Sequence, residues 1–467
     1  ISLPNGVKKP KAKKEDEDDK EEKPKPKKLE VTVGQSGPLL LVGNAIPVIE
    51  KILGKLGGGT VPVLADLPAF EANQRVIFRD ATGFAWANAR PFVDILTKQL
   101  AAQTPPGKQP AGMTPSPSKI TAAAGISGLQ TLAVAFKQGD DGAFGQFFLG
   151  VPEASRRGLF KLLIPEAKDS APPAFVSGDV TKFTRYRLDG QKTWATLEAM
   201  LAEISPQISA LVQTSLNMIG KEKDPNYNFK KRLIGNLGDD VVLVQRPPRG
   251  EGLEALQNAP GLTLLGSPDA EQLAQAIKAA AALSPTGGDG LKEREFLGKK
   301  IYSLPLPPSP ESKFAERYFN FAASGGYVAM SGDAATLEEY LRNHEDAAKP
   351  LRATPGLDDA AQRVGGMNTG WFGYENQSES LRRMLELAKN SPELFDKLVQ
   401  KPGAKNPDDE DDDDEDKAPA KPWLDYKLLP PFEKISKYFN YSIYAGVASA
   451  DGFSIKWFAP VPPQLKK

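Results

Sequence analysis

Two pairs of adjacent aspartates, Asp140–Asp141 and Asp239–Asp240, are the residues of this sequence that come closest to a catalytic pattern. Two carboxylates about 5–10 Å apart across a cleft can serve as acid and base in glycoside hydrolysis. The first pair, however, precedes a glycine between two apolar runs, where aspartate commonly bonds the backbone of a turn. The second pair opens the apolar run 241–244. A carboxylate-based hydrolase that uses Asp239 or Asp240 is therefore the least favoured of three functional hypotheses.

The single histidine, His344, could pair with Ser331 or Asp333 in a hydrolase triad. A nucleophilic serine of this kind is commonly presented by a Gly-x-Ser-x-Gly turn, which the sequence lacks. His344 instead follows a predicted helix among polar residues, as a surface side chain would. The glycine-rich stretch 54–59 has its lysine in the wrong place for a phosphate-binding loop. The sequence thus predicts no catalytic residue, no cofactor and no cofactor-binding residue.

The composition excludes several classes of site. The chain of 467 residues has no cysteine, which rules out thiolate zinc sites, disulfides and cysteine nucleophiles within it, and it fits an exported bacterial protein slightly better than a cytosolic one. Lys+Arg and Asp+Glu both number 59, so no net charge favours nucleic acid or an anionic membrane. No apolar run approaches the roughly 18 residues that span a bilayer. We therefore expect no metal site, no nucleic-acid partner and no transmembrane segment.

Two stretches are rich in charge and poor in apolar residues. Residues 8–28 interleave lysines with acids and prolines, and residues 403–421 contain the nine consecutive acids 408–416. Such segments cannot bury enough apolar surface to offset their ordering entropy, which predicts a disordered insert and a disordered loop. The alternative for the first is a basic anchor for nucleic acid or lipid. The alternative for the second is weak, diffuse cation binding, because it lacks the ligand spacing of a calcium loop.

A repeated pattern organises the rest of the chain. In residues 36–44 and 325–333, small residues precede a short apolar strand and then Gly-Asn or Gly-Asp. A helix with apolar residues three and four positions apart follows each copy, at 45–56 and at 334–341. The repeat therefore begins with a strand and a helix in both copies.

Each copy ends in a hairpin. Asp-Gly separates two apolar runs at 141–142 and again at 451–452, an offset of 451 − 141 = 310, and this dipeptide is a strong hairpin signal. Matches in the same order predict a tandem duplication of residues 31–152 and 320–462, and hence two homologous lobes. The predicted domains are a first lobe at 1–152, a middle segment that completes both lobes at 153–319, and a second lobe at 320–467.

Three tryptophans lie at predicted strands or helix starts, Trp86, Trp194 and Trp371. Trp86 and Trp371 are interpreted as matching positions of the two copies, which favours a shared role in core packing. The alternative is a groove between the lobes that these rings line.

The middle segment alternates strands and helices. The apolar pattern predicts strands at 180–188, 241–244 and 300–304, and helices at 193–208 and 270–283. Ser267 is predicted to cap the last of these helices, with Pro268 at its first position. Hairpins mixed with helices favour an α+β fold of mixed or antiparallel sheets with helices packed on one face.

The first residues match the middle of a strand. Residues 1–4 fall where 302–305 fall in the second copy, after that strand has begun. We therefore expect the chain to be a fragment or processed form of a longer protein, whose preceding part resembles 172–300.

At residues 235–241, 298–304 and 326–331, the chain resembles a loose group of uncharacterised bacterial envelope proteins built on a domain of unknown function. The resemblance covers about residues 170–460 and rests on structural motifs. It implies an exported, extracytoplasmic protein that is not an enzyme, and it supplies no functional residues.

These observations favour a non-catalytic binding or scaffold protein of the bacterial periplasm or cell envelope. Its expected partner is a protein or another envelope component. The alternative is a carrier whose two lobes enclose an apolar ligand, which predicts an apolar tunnel that is continuous between the sheets.

Overall fold

The computed structural model describes most of the chain. The described residues are 31–102, 116–222, 224–250, 255, 259–281, 290–306, 317–343, 347–392, 395 and 425–465. The predictions for residues 8–28, for residues 403–421, for the start of the chain and for His344 lie outside them. The chain divides into two compact units, Ile1–Gln74 and Arg75–Lys467. The boundaries predicted at 152 and 319 stay predictions.

The described part of the first unit is a hairpin followed by helices. Strands β1 (Thr32–Ser36) and β2 (Leu39–Gly43) pair antiparallel as a sheet of their own. Gly37 in the turn has a φ of 58°, a left-handed conformation that glycine adopts without a steric penalty. The predicted helix follows as α1 (Ile46–Leu56), and α2 (Pro68–Val76) runs across the unit boundary.

The second unit is built on a sheet of 13 strands in which every described pair is antiparallel. The strands are β3 (Gly83–Asn88), β4 (Thr131–Gly139), β5 (Gly142–Gly150), β6 (Lys182–Arg187), β7 (Asp240–Gln245), β8 (Gly261–Gly266), β9 (Lys292–Phe296), β10 (Lys299–Leu306), β11 (Arg317–Ser324), β12 (Tyr327–Ser331), β13 (Trp371–Asn376), β14 (Tyr441–Ser449) and β15 (Gly452–Pro460). Their order across the sheet is β3-β4-β5-β15-β14-β13-β6-β7-β8-β12-β11-β10-β9. The two hairpins predicted at Asp-Gly are confirmed as β4–β5 and β14–β15.

Eleven further helices accompany the described part of this sheet, which confirms the α+β class. They are α3 (Ala89–Ala102), α4 (Pro117–Ala123), α5 (Leu159–Leu162), α6 (Gly190–Ile204), α7 (Pro206–Met218), α8 (Phe229–Ile234), α9 (Ala270–Ala281), α10 (Ala334–Arg342), α11 (Leu357–Val364), α12 (Gln377–Asn390) and α13 (Phe432–Ile435).

Helices pack on both faces of the sheet, so the prediction of one covered face was wrong. Ala322 and Ala329 belong to a core that α10 and α11 close through Leu337 and Leu357. Their chain neighbours Phe321 and Val328 belong to a separate core with Leu273 of α9. Neighbouring residues of a strand point to opposite faces, so α9 lies across the sheet from α10 and α11.

Two helix boundaries differ from the prediction. The helix expected over 193–208 is broken between α6 and α7, because Ser205 is extended and its hydroxyl accepts the N–H of Ile208, 3.3 Å away, as an N-cap. Helix α9 is capped by Asp269 rather than Ser267, since Asp269 Oδ1 accepts the N–H of Gln272 at 3.0 Å. Ser267 Oγ accepts the N–H of Asp269 itself, one step earlier.

The strand hydrogen bonds give a register that relates the two hairpins. Strands β5 and β15 pair antiparallel, with Gln146 opposite Lys456. These two residues are 456 − 146 = 310 apart, the same offset that separates the starts of β4 and β14 and of β5 and β15. We call this junction the seam.

The same register places Trp86 opposite Ala133 and Tyr374 opposite Ile443. Because 443 − 133 is also 310, Trp86 corresponds to Tyr374. The interpretation that Trp86 and Trp371 occupy matching positions was wrong by three residues.

Candidate functional site

A group of charged side chains is buried where β6 meets β7. Arg185 on β6 makes a bidentate pair with Asp240 at the start of β7, from Nε to Oδ1 at 2.9 Å and from Nη2 to Oδ2 at 2.8 Å. Its Nη1 also donates to Asp169 at 3.1 Å and to the carbonyl of Ala171 at 2.8 Å. Tyr327 Oη on β12 donates to Asp240 Oδ2 at 2.8 Å. Every polar atom of this buried pair therefore has a protein partner close by.

A second layer of charges continues the cluster toward solvent. Arg187 Nη1 lies 3.0 Å from Asp240 Oδ2, and its Nη2 donates to Asp239 Oδ1 at 3.1 Å. Lys168 donates to Asp239 Oδ2 at 2.6 Å and lies 2.6 Å from Glu166 Oε2. We call Arg185, Arg187, Asp239, Asp240 and these neighbours the arginine–aspartate cluster.

The cluster favours the ionised forms of Asp239 and Glu166. Partial burial raises the pKa of Asp239, but the hydrogen bond from Lys168 and the charge of Arg187 outweigh it and hold that pKa below its usual range. Hydrogen bonds from Lys168 and Lys192 likewise lower the pKa of Glu166. Burial beside the Asp240 carboxylate raises the pKa of Tyr327 to about 12. A general acid needs the opposite shift, toward neutral pH.

The structure therefore gives both aspartate pairs structural contacts. Asp239 and Asp240 face arginines and a lysine instead of a second carboxylate across a cleft. Asp140–Asp141 lies in the β4–β5 turn as predicted, and Asp141 pairs with Arg363 on α11. Neither arrangement resembles the carboxylate pair of a glycosidase.

Ser331 and Asp333 also have structural partners. Ser331 Oγ donates to the carbonyl of Gly261 at 2.7 Å, which ties β12 to β8. Asp333 caps α10 by accepting the N–H of Thr336 at 3.1 Å, and it pairs with Arg249 at 2.9 Å. The triad hypothesis also needs His344, which lies outside the described residues.

The tryptophans do not form one site. Trp371 belongs to an aromatic group with Phe453, stacked at 5.8 Å between ring centroids, and with Tyr186 and Tyr444 at 5.5 and 6.0 Å. Trp194 lies on α6. Trp86 lies on β3, which is on the opposite side of the seam from β13. For Trp371 the contacts agree with the packing interpretation.

A pocket lies on the face of the sheet that α10 covers. Its lining includes Phe175, Val180, Leu262 and Tyr340, and also Arg246 and Glu339. Arg246 Nη1 is 2.5 Å from Glu339 Oε1, so an ion pair forms part of the wall. All its lining residues lie between 175 and 343, whereas the carrier hypothesis places its tunnel between two lobes.

The two end strands of the 13-stranded sheet differ in chemistry. Strand β9 reads Lys-Glu-Arg-Glu-Phe, whereas β3 reads Gly-Phe-Ala-Trp-Ala-Asn and carries no charge. Phe84 of β3 is 55% exposed, although its ring stacks on Phe78 at 4.4 Å between centroids. Phe372, the residue of β13 that corresponds to it by register, is fully buried. We call the side of β3 that has no strand partner within the described residues the open edge.

Sequence reasoning missed both the arginine–aspartate cluster and the open edge. Strand β6, Lys-Phe-Thr-Arg-Tyr-Arg, alternates so that Phe183 and Arg185 share a face, and a charge on an apolar face is a signal for a buried pair. The missing charge in β3 was also visible in the sequence. Its meaning depends on β3 being an end strand, which only the sheet order reveals.

The described residues contain neither a metal-binding group nor a membrane-spanning helix. Within the ranges that the structure describes, no three acidic, histidine or cysteine side chains are grouped to hold a metal ion. In the same ranges, no helix has the length and hydropathy to cross a membrane. The chain matches no protein-family model, no curated protein and no solved structure.

Proposed function

We propose that this protein is a non-catalytic binding or scaffold protein of the bacterial cell envelope, with a polypeptide as its partner. The observation that carries the proposal is the open edge. An uncharged end strand with an exposed aromatic side chain can pair with a strand of another chain. Proteins usually protect such an edge when no partner binds to it. The side chains of the arginine–aspartate cluster, in contrast, bind one another and stabilise the packing of β6, β7 and β12.

We also propose that the chain consists of two homologous lobes produced by tandem duplication. The starts of β3 and β13 are 371 − 83 = 288 apart, as are the starts of β2 and β12, 327 − 39. Later strands keep the offset of 310, and equivalent residues meet at Gln146 and Lys456 in the seam. Pairing of equivalent residues is what a two-fold relation between two copies requires.

The proposed location outside the cytoplasm, in the periplasm or cell envelope, rests on the sequence resemblance and on the lack of cysteine. Fractionation of the host by osmotic shock would test it. Recovery of the protein with cytoplasmic markers would contradict the proposal.

The carrier of an apolar ligand is the second candidate. The pocket beside Phe175, Val180 and Leu262 favours it, since these side chains offer an apolar wall. The ion pair of Arg246 and Glu339 in the same wall weakens it, because an apolar ligand would have to lie against charge.

Native mass spectrometry of the protein purified from its own host separates these candidates. We expect a bound polypeptide whose mass is lost on denaturation. A small apolar molecule lost in the same way would favour the carrier and contradict the scaffold. Phe84→Lys should release the polypeptide, whereas Leu297→Lys is a matched control, because Leu297 is also an exposed apolar residue and lies in the turn between β9 and β10.

A further inference from the structure

We infer that the open edge of β3 binds an extended polypeptide strand that pairs antiparallel with it, in the place that β6 takes on β13. The occupant is a polypeptide segment built like residues 182–266 of this chain, which presents a strand of the β6 type. This inference rests on the proposed binding role and names its site and the chemistry of the partner.

The register of the second lobe supplies the geometry. Strand β13 pairs with β14 on one side and with β6 on the other, and Phe372 faces Arg185 while Tyr374 faces Phe183. Strand β3 pairs with β4 in the register that β13 has with β14, so Phe84 and Trp86 take the positions of Phe372 and Tyr374. The described sheet ends at β3, where the second lobe continues into β6, β7 and β8.

The side chains at the open edge fit such an occupant. Phe84 and Trp86 are two residues apart and therefore share a face with Ala133 and Ala135, which are buried on β4. In the second lobe the corresponding face continues through Phe372 to Phe183. A strand with an aromatic residue opposite Trp86 would extend the apolar face and cover the exposed ring of Phe84.

The edge also lacks the features that keep an end strand free. Charged side chains, proline or a bulge usually prevent unwanted pairing. Strand β9 at the other end has four charged residues in five, whereas β3 has neither charge nor proline, and its pairing with β4 runs without interruption from Gly83 to Asn88. The contrast between ends of the same sheet favours a partner on β3.

One detail restricts the occupant further. Arg185 on β6 is neutralised by Asp240 on β7, which lies within residues 182–266, and by Asp169, which precedes them. A lone strand with arginine opposite Phe84 would bury that charge without an acid. The occupant therefore either brings its own β7-like acid or has an uncharged residue at this position.

The test uses the full chain and a synthetic peptide with the sequence of residues 181–188 in which the residue at 185 is valine. Hydrogen–deuterium exchange should slow at 83–88 in the presence of the peptide and stay unchanged at 292–296. Phe84→Lys should weaken peptide binding by about tenfold or more, because the variant lacks the ring that the bound peptide would cover. Leu297→Lys should leave peptide binding unchanged.

A peptide N-methylated on the amides that face β3 is the matched control, because it keeps every side chain but cannot pair with the strand. Equal protection by both peptides, or no protection at 83–88, would overturn the inference. A chain that is dimeric by light scattering and becomes monomeric with Phe84→Lys would also overturn it, in favour of a second copy as occupant. A partner from the host that remains bound to the Phe84→Lys chain would leave the proposed binding role intact and overturn the assignment to β3.

Discussion

The two end strands of the 13-stranded sheet, each paired on one side only within the described residues, differ in the side chains that they carry. At β9 the sequence alternates lysine, glutamate and arginine, and these side chains are engaged by ion pairs such as Lys278–Glu293 at 2.7 Å and Arg294–Glu338 at 2.6 Å. At β3 the strand is apolar or neutral and Phe84 is exposed. Charge makes another strand an unfavourable neighbour, so the sequence of β9 disfavours further pairing at this edge.

The comparison with β13 shows which neighbour β3 does not have in the described part of the chain. Strand β13 has nearly the same position relative to its hairpin, but β6 pairs with its second side, and Phe372 becomes fully buried. The aromatic side chain at this register position is therefore buried on β13 and exposed on β3. The difference lies in the neighbour and not in the residue type.

The largest expected effect separates the two phenylalanines. Phe372→Ala should lower the free energy of unfolding by about 3–5 kcal/mol, because it opens a cavity in a closed core. Phe84→Ala should lower it by about 1 kcal/mol or less, since that ring is half in solvent. Urea unfolding of each full-length variant, followed by tryptophan fluorescence, measures both. Equal losses would contradict the distinction between the two phenylalanine positions.

A somewhat smaller effect concerns the arginine–aspartate cluster. Asp240→Asn should cost about 2–3 kcal/mol, because Arg185 and Arg187 keep buried charge and lose a charged acceptor. Glu375→Gln is the matched control, as its ion pair with Lys182 at 3.2 Å is partly exposed and should contribute about 0–1 kcal/mol. Similar losses from the two variants would show that the arginine–aspartate cluster stabilises the fold no more than the Lys182–Glu375 ion pair does. Chemical unfolding at neutral pH gives both values.

A third test uses pH. The folded-state pKa of Asp239 is lowered, so as the pH falls the unfolded chain binds the proton first. Its stabilisation is complete above about pH 5 and is lost as the pH falls from about 4 through the folded-state pKa. The free energy of unfolding should therefore fall less steeply below pH 4 in the Asp239→Asn variant. The difference in the total loss should be about 1 kcal/mol or less, because Asp239 is partly exposed. An acid limb of unchanged steepness in thermal unfolding at pH 3–6 would contradict this role.

The smallest change in stability is expected at β9. Glu293→Thr together with Glu295→Thr should alter the free energy of unfolding by no more than about 0.5 kcal/mol. It should nevertheless increase self-association, because the edge loses charges that prevent strand pairing. Static light scattering over a range of protein concentrations measures this. Glu203→Thr on the exposed side of α6 is the control, and equal association of both variants would remove the special role of β9.

The local elements could be predicted from the sequence. Both Asp-Gly hairpins and helices α1 and α10 follow from turn chemistry and from apolar spacing within about ten residues. The break at Ser205 was also encoded, as serine before proline, but the apolar pattern continues across it and hid the signal. Helices on both faces had a signal too, since apolar residues follow one another in 321–323 and 327–330 instead of alternating.

The order of strands could not be predicted in this way. Pairing of β5 with β15 joins residues about 300 positions apart, and nothing in either strand specifies the other. The open edge depends on that order, because β3 acquires its meaning only as an end strand. The arginine–aspartate cluster likewise brings Asp169, Arg185, Asp240 and Tyr327 together from four separate segments.

The seam has a consequence for synthesis of the protein on the ribosome. Strand β5 gains its second neighbour only after Lys456 has been synthesised, 310 residues after Gln146. At about 5–20 residues per second, translation of that stretch takes roughly 15–60 s. During this interval β4 and β5 form a nascent hairpin with one uncovered side, and closing so large a loop is slow. The yield of native protein in a cell therefore depends on how well that hairpin is shielded while the remaining chain is being made.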